Sequence, residues 1–201
     1  MTHDHDAHDH GSHDHHEHRP MGYAEAIDRY RADKDDYFKG ARNSPIPPGE
    51  REAFDGLPYY PVDEGLRFDG LRVEPYTGGE PSDFQIPTSD GKLRPAHRAG
   101  VLAFELGGER RVLTAYTFDG EDGESLFVPF LDATSGRETY GAGRYLDLDP
   151  EPDGSYTLDF NLAYHPSCVY DPRFSCPLTP PENRLPIRIE AGERLAPSPG
   201  E

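Results

Sequence analysis

The chain has no tryptophan and two cysteines in 201 residues, and its lysines, Lys34, Lys39 and Lys92, number three against seventeen arginines. Two cysteines cannot build the disulfide framework that staples small secreted domains, so a reducing, cytoplasmic setting is the default. No run of 18 apolar residues is present, which excludes a membrane-spanning helix, and the N-terminus lacks the apolar stretch of a secretory signal. Positive charge is scarce as well. Asp plus Glu number 38 against 20 Lys plus Arg, a formal net charge of −18 that repels nucleic-acid phosphates and acidic membranes as partners. The acid-rich, arginine-over-lysine balance fits a salt-rich, halophilic cytosol, because at molar salt the screening length shrinks to about 3 Å. It fits an ordinary acidic protein from a GC-rich genome equally well. With 34% hydrophobic residues there is enough apolar material for one compact core, and nothing in the composition fixes an oligomeric state.

What is present divides the chain into three. Residues 1–20, MTHDHDAHDHGSHDHHEHRP, hold eight of the ten histidines and no large apolar side chain beyond Met1, so a disordered tail is expected. Residues 21–195 read as a single mainly-β domain, and 196–201 as a disordered C-terminus. Within the domain, Tyr23, Ile27, Tyr30, Lys34, Tyr37 and Phe38 recur at three-to-four spacing, which predicts an amphipathic helix from about Tyr23 to Lys39. From residue 66 the period becomes two. Segments such as GVLAFELGGERRVLTAYTF, SLFVPFLD, RYLDLD and YTLDFNLAY alternate apolar and polar side chains between Gly, Pro, Asp and Asn. Gly107-Gly108 predicts a primed hairpin turn, with Leu102, Phe104 and Leu106 before it and Val112, Thr114, Tyr116 and Phe118 after it. The expected architecture is an antiparallel sandwich or small barrel with one N-terminal amphipathic helix and a long Pro-rich C-terminal loop.

Three segments supply candidate ligand-binding residues. In ATSGRETYGAGRYLDL, Gly141 and Gly143 let the backbone come close to another group, and Arg137 and Arg144 could clamp a carboxylate or phosphate beside Tyr140. The equally simple alternative is a β-turn whose arginines pair with surface acids. In YTLDFNLAY, Asp159 and Asn161 sit two apart and face either water or the mouth of a barrel. The stretch YHPSCVYDPRFSCPLTPPENRLPI adds His165, Cys168, Cys176, Glu182, Asn183 and Arg184 within an irregular run too rich in rings and prolines to be disordered. Cys168 and Cys176 could pair, share a metal, or sit as small apolar side chains, and Glu182, Asn183 and Arg184 either fix the loop or touch a ligand.

VPFLDATSGRETYGAGRYLDLD together with LDFNLAYHPSCVYDPRFSCPLTPPENRLPIRIEAGE resembles the C-terminal hallmark of the uncharacterised prokaryotic family catalogued as domain of unknown function 1684, and YRADKDDYF resembles its opening segment. The resemblance spans residues 22–193 and is most specific over 127–193. It implies that the glycine-arginine turn, Asp159, Asn161, both cysteines and PPENRLP belong to one shared structure, and it supplies no reaction.

The expected function is therefore binding of a small, anionic ligand in a pocket formed by the glycine-arginine turn and the Pro-rich loop. A small hydrolase or redox enzyme using the same pocket is the alternative. A third reading is metal handling by the tail, where His3, His5, His8, His10, His13, His15, His16 and His18 alternate with carboxylates. Such His-x-His pairs suit the divalent transition metals Zn, Ni, Co or Cu.

Overall fold

The computed structural model describes residues 21–79, 84–120 and 124–196. The histidine-rich stretch 1–20, with its eight candidate metal ligands, lies outside the described residues, as does all but the first residue of the C-terminal stretch 196–201.

The predicted helix runs from Tyr23–Gly40 (α1) and buries Ile27 and Phe38. Among the described residues nine strands follow: β1 (Arg67–Leu71), β2 (Val73–Glu74), β3 (Gln85–Pro87), β4 (Leu93–Pro95), β5 (His97–Leu106), β6 (Glu109–Thr117), β7 (Leu126–Phe130), β8 (Arg144–Leu148) and β9 (Tyr156–Asp159). The central sheet is five-stranded and antiparallel, in the order β2-β5-β6-β7-β8, with two-stranded sheets β1-β9 and β3-β4 beside it. Gly107 and Gly108 take φ of 67° and 73°, the primed-turn geometry that lets Leu106 pair directly with Glu109.

One face of the central sheet presents Leu102, Phe104, Leu113, Ala115, Val128, Phe130 and Leu146 to Leu158 and Phe160 of the β1-β9 layer and its continuation. The arrangement is sandwich-like, since two apolar faces cover each other. The opposite face carries Tyr116, Phe127 and Tyr145, packed with Ile86 and Ala96 from the β3-β4 region. Along β6 the period-two alternation thus feeds two apolar clusters: Leu113 and Ala115 go to one, Tyr116 to the other. Among the described residues no barrel closes, because the sheet stops at β2 on one side and β8 on the other. Helix α1 lies over a third cluster, where Phe38 meets Tyr170 edge-on at 5.2 Å between ring centroids.

The stretch after Tyr164, expected as one long Pro-rich loop, is instead divided by two 3-10 turns, Ser167–Val169 and Pro181–Asn183. Isolated bridges Tyr145↔Tyr164, Thr88↔Pro177 and Leu131↔Arg184 stitch it to the strands. Proline has no N–H to donate to a ladder, so single bridges and side chains take up the backbone groups. No helix among the described residues is long and apolar enough to cross a membrane.

Candidate functional site

Arg144 opens β8 and is 1% exposed. Its guanidinium donates to the carbonyls of Ala191, Glu193 (3.1 Å) and Ile189 (2.8 Å), and stands 3.6 Å from the Asp132 carboxylate. Asp132 in turn accepts the N–H of Ile189 at 2.7 Å and the Thr134 hydroxyl at 2.8 Å. The segment from Ile189 to Glu193 is therefore gripped at donor and acceptor alike by one buried ion pair. Burial lowers the guanidinium pKa and Asp132 opposes that shift. Gly143, just before it, has φ of 104°, and a Cβ there would come within 2.5 Å of the Phe130 carbonyl. Its glycine is explained by chain packing, with no ligand needed. Arg137 and Gly141 are exposed on the same turn.

Asp159 and Asn161 stand where β9 passes into the 3-10 turn Phe160–Leu162. The Asn161 amide forms a closed clip with residue 63: its Nδ2 donates to the Asp63 carbonyl at 2.7 Å and its Oδ1 accepts the Asp63 N–H at 2.9 Å. Asp159 caps the turn through the Asn161 N–H and accepts the Tyr23 hydroxyl at 2.7 Å, which ties the start of α1 to β9. Burial, and then Asp159 itself, raises the Tyr23 pKa.

Asn183 is fully buried between β6 and β7. Those strands share one paired position, Tyr116↔Phe127, and Pro129 brings no N–H to the ladder. The Asn183 side chain fills the gap like an inserted peptide group: Oδ1 accepts the Thr114 N–H at 2.8 Å, and Nδ2 donates to the carbonyls of Thr114 and Pro129, each at 2.7 Å. Glu182 accepts the Tyr116 hydroxyl and Arg98, both at 2.9 Å. Arg184 is exposed and contributes its backbone to the bridge with Leu131.

His165 is 3% exposed, and its Nε2 accepts the Tyr140 N–H at 3.2 Å. That bond places the imidazole proton on Nδ1, toward the Glu193 carboxylate 3.7 Å away. Burial first, then the charges of Arg144 and Lys34, press the His165 pKa down to about 3. Glu193, itself buried, also receives the His165 N–H at 2.7 Å, the Tyr170 hydroxyl at 3.0 Å and the Lys34 ammonium at 2.6 Å. Cys168, partly exposed, and Cys176, buried, are both free, and burial raises the Tyr140 and Cys176 pKa values. Among the described residues no three His, Cys, Asp or Glu side chains converge as metal ligands.

The sequence-derived candidates thus fall into several networks, one of which brings Arg144, Tyr140 and His165 together around Glu193. Arg144 belongs with Asp132 and the Ile189–Glu193 segment, Asp159 and Asn161 with Tyr23 and Asp63, and Glu182 with Arg98 and Tyr116. Sequence reasoning missed Asp132, Glu193 and Tyr23 as partners. One signal was available: Lys34 stands in the apolar stripe of α1, where a lysine needs a buried acid.

Another recess lies elsewhere, between α1 and the β8-β9 edge. This cleft of about 520 Å³ is walled by Tyr23 and Tyr30 from the helix and by Tyr164, with the carboxylates of Asp147, Asp149, Glu151 and Asp159 and the guanidinium of Arg67. Of the candidates named from the sequence, Asp159 alone borders it. Tyr164 donates to Asp147 at 2.5 Å, Asp149 receives the Ser125 hydroxyl at 2.7 Å, and Tyr30 is 43% exposed.

A family model described as Protein of unknown function (DUF1684) matches residues 52–194. Among solved structures, the chain is similar to the solution NMR structure of an uncharacterized protein from Haloarcula marismortui, with 40% identity and a TM-score of 0.62 over 85% of this chain and 92% of that one. No curated protein matches.

Proposed function

This chain belongs to the DUF1684 family, and from that premise we propose that it binds a small organic cation, an amine of the polyamine class, in the cleft between α1 and the β8-β9 edge. The observation that carries the reading is the composition of the cleft wall: four carboxylates and three tyrosines against one guanidinium. Carboxylates attract an ammonium through charge, and tyrosine faces attract it through the ring quadrupole. Two of the rings already hold cations of the protein itself, Arg67 over Tyr23 at 5.0 Å and Lys34 over Tyr164 at 4.7 Å. Tyr30 is the ring most open to a guest.

The ligand's sign is opposite to the anion expected from the glycine-arginine turn. Arg144, the arginine meant to clamp it, spends its donors on backbone carbonyls, and Arg67 is offset by Asp69 at 2.9 Å. The test is a titration of the full chain with spermidine, and separately with inorganic phosphate, followed by NMR shifts of Tyr30 and Asp149. Spermidine is expected to move both signals, and Glu151→Gln with Asp149→Asn to weaken binding by about tenfold or more. Shifts produced by phosphate, or none with millimolar spermidine, would overturn the reading.

A second role rests on the His-x-His alternation of residues 3–18, which suits chelation of Zn, Ni, Co or Cu. Removal of residues 1–18 is expected to abolish nickel binding in calorimetry, and retention of a tight site would sink it. Binding by the intact chain should weaken as pH falls toward 6 and the imidazoles protonate.

A further inference from the structure

We propose that a second recess, between the turn that follows α1 and the turn at residues 171–174, is an anion site for a phosphate monoester carried on a planar ring, a ligand of the nucleoside monophosphate class. The recess measures about 380 Å³ and is bordered by Arg42, Arg51 and Arg173 against one carboxylate, Asp171. In a chain where 38 acids face 20 basic residues, three arginines to one acid is a local reversal of sign. Cations gathered in this way repel one another, and an anion placed among them removes that repulsion.

Both walls are fixed by the protein itself. Past the helix, Ser44 donates to the Phe38 carbonyl and accepts the Ile46 N–H at 3.0 Å, while Pro45, Pro47 and Pro48 stiffen the backbone. Arg51 lies across this turn. Its Nε donates to the Ile46 carbonyl at 2.9 Å, and one terminal nitrogen reaches the Ser44 carbonyl at 3.5 Å. In the facing wall the Phe174 N–H donates to the Asp171 carbonyl at 3.1 Å, and Ser89 Oγ donates to the Phe174 carbonyl at 3.2 Å. Asp171 accepts Nε of Arg173 at 2.9 Å and one of its terminal nitrogens at 2.5 Å, which offsets the carboxylate charge and holds that guanidinium in place. The edge-on contact of Phe38 with Tyr170 joins the two walls. Preorganised donors of this kind cost little ordering when a ligand binds.

Donors remain on all three arginines. Arg42 is exposed and makes no hydrogen bond or ion pair among the described residues. Arg51 and Arg173 each keep a second terminal nitrogen outside the bonds just given. A phosphate monoester brings close to two negative charges and three acceptor oxygens, which suits several guanidinium forks better than a single carboxylate does. The rest of the border is apolar. Ile46, Pro48 and Phe174 belong to it, and the Phe174 side chain, 37% exposed, offers a ring face on which a flat group can stack.

The test titrates the full chain at low ionic strength with adenosine monophosphate, inorganic phosphate and adenosine in turn, following the backbone amide NMR signals of Asn43, Ser44 and Phe174. The monophosphate is expected to move all three and to bind about tenfold more tightly than phosphate, while adenosine leaves them in place. Arg42→Gln, at an exposed side chain with no partner to lose, should weaken the monophosphate about tenfold. Phe174→Ala should lower its affinity to that of phosphate. Adenosine binding as tightly as the monophosphate, equal affinities for monophosphate and phosphate, undiminished binding by the Arg42→Gln chain, or signals unmoved by millimolar monophosphate would each overturn the proposal.

Discussion

Arg144 reads from the sequence as a ligand clamp and turns out to be a clamp on the protein's own backbone. Three carbonyls and Asp132 engage its two terminal nitrogens, so its removal leaves a buried carboxylate and bare carbonyl groups together. Arg144→Met is expected to cost about 3–5 kcal/mol in urea unfolding, and Arg144→Lys a large part of that, since an ammonium cannot span the same carbonyls. His165 makes a different prediction. Its pKa falls from 6.5 in the unfolded chain to about 3 in the native one, so between those values the unfolded state holds a proton that the native state refuses. Stability is full above pH 6.5 and declines as pH falls below it, by up to about 1.4 kcal/mol per pH unit. Thermal unfolding of His165→Asn across pH 7 to 5 should show a flatter decline than the parent. An unchanged slope would mean that His165 does not resist protonation.

Helix α1 is held by attachments of unlike kinds, among them the Tyr23 hydroxyl on Asp159, the Phe38 ring on Tyr170, and the Lys34 ammonium on Glu193. Lys34→Met strands the Glu193 charge in the interior and should cost about 3–5 kcal/mol, whereas the double variant with Glu193→Gln should recover much of it. A chemical-denaturation cycle over the four proteins measures the coupling. The helix and the β5-β6 hairpin were legible because their signals are local: an apolar stripe with three-to-four spacing, and Gly-Gly between alternating runs. The sandwich followed from the number and spacing of such strands. The candidate site was not legible, because period and turn chemistry say which face a side chain takes but not what meets it there. Asn183 shows the limit. Its role depends on a gap between β6 and β7 created by Pro129, more than fifty positions away. The cleft is likewise assembled from α1, β1, β8 and β9, and only Asp159 among its acids stood out by spacing.

Over the whole molecule the formal charge of −18 sets a long-range repulsion that compactness must overcome. Raising sodium chloride from 0.1 to 1 M shortens the screening length from about 10 to about 3 Å, so the melting temperature should climb across that range. A fall with salt would mean that surface ion pairs such as Arg110–Glu74 outweigh the repulsion. The Arg144–Asp132 pair, being sealed from solvent, should contribute equally at both ends of the titration.

The grip of Arg144 on the carbonyls of Ile189, Ala191 and Glu193 also imposes an order in time. A ribosome makes α1 and the central strands first, yet Lys34 and Arg144 both wait for a stretch synthesised more than forty positions after β8 begins. Until residue 193 has cleared the exit tunnel, the nascent sheet carries an unmatched guanidinium inside and an undocked helix outside. Vectorial synthesis therefore cannot complete these two grips until residues 189–193 have been made.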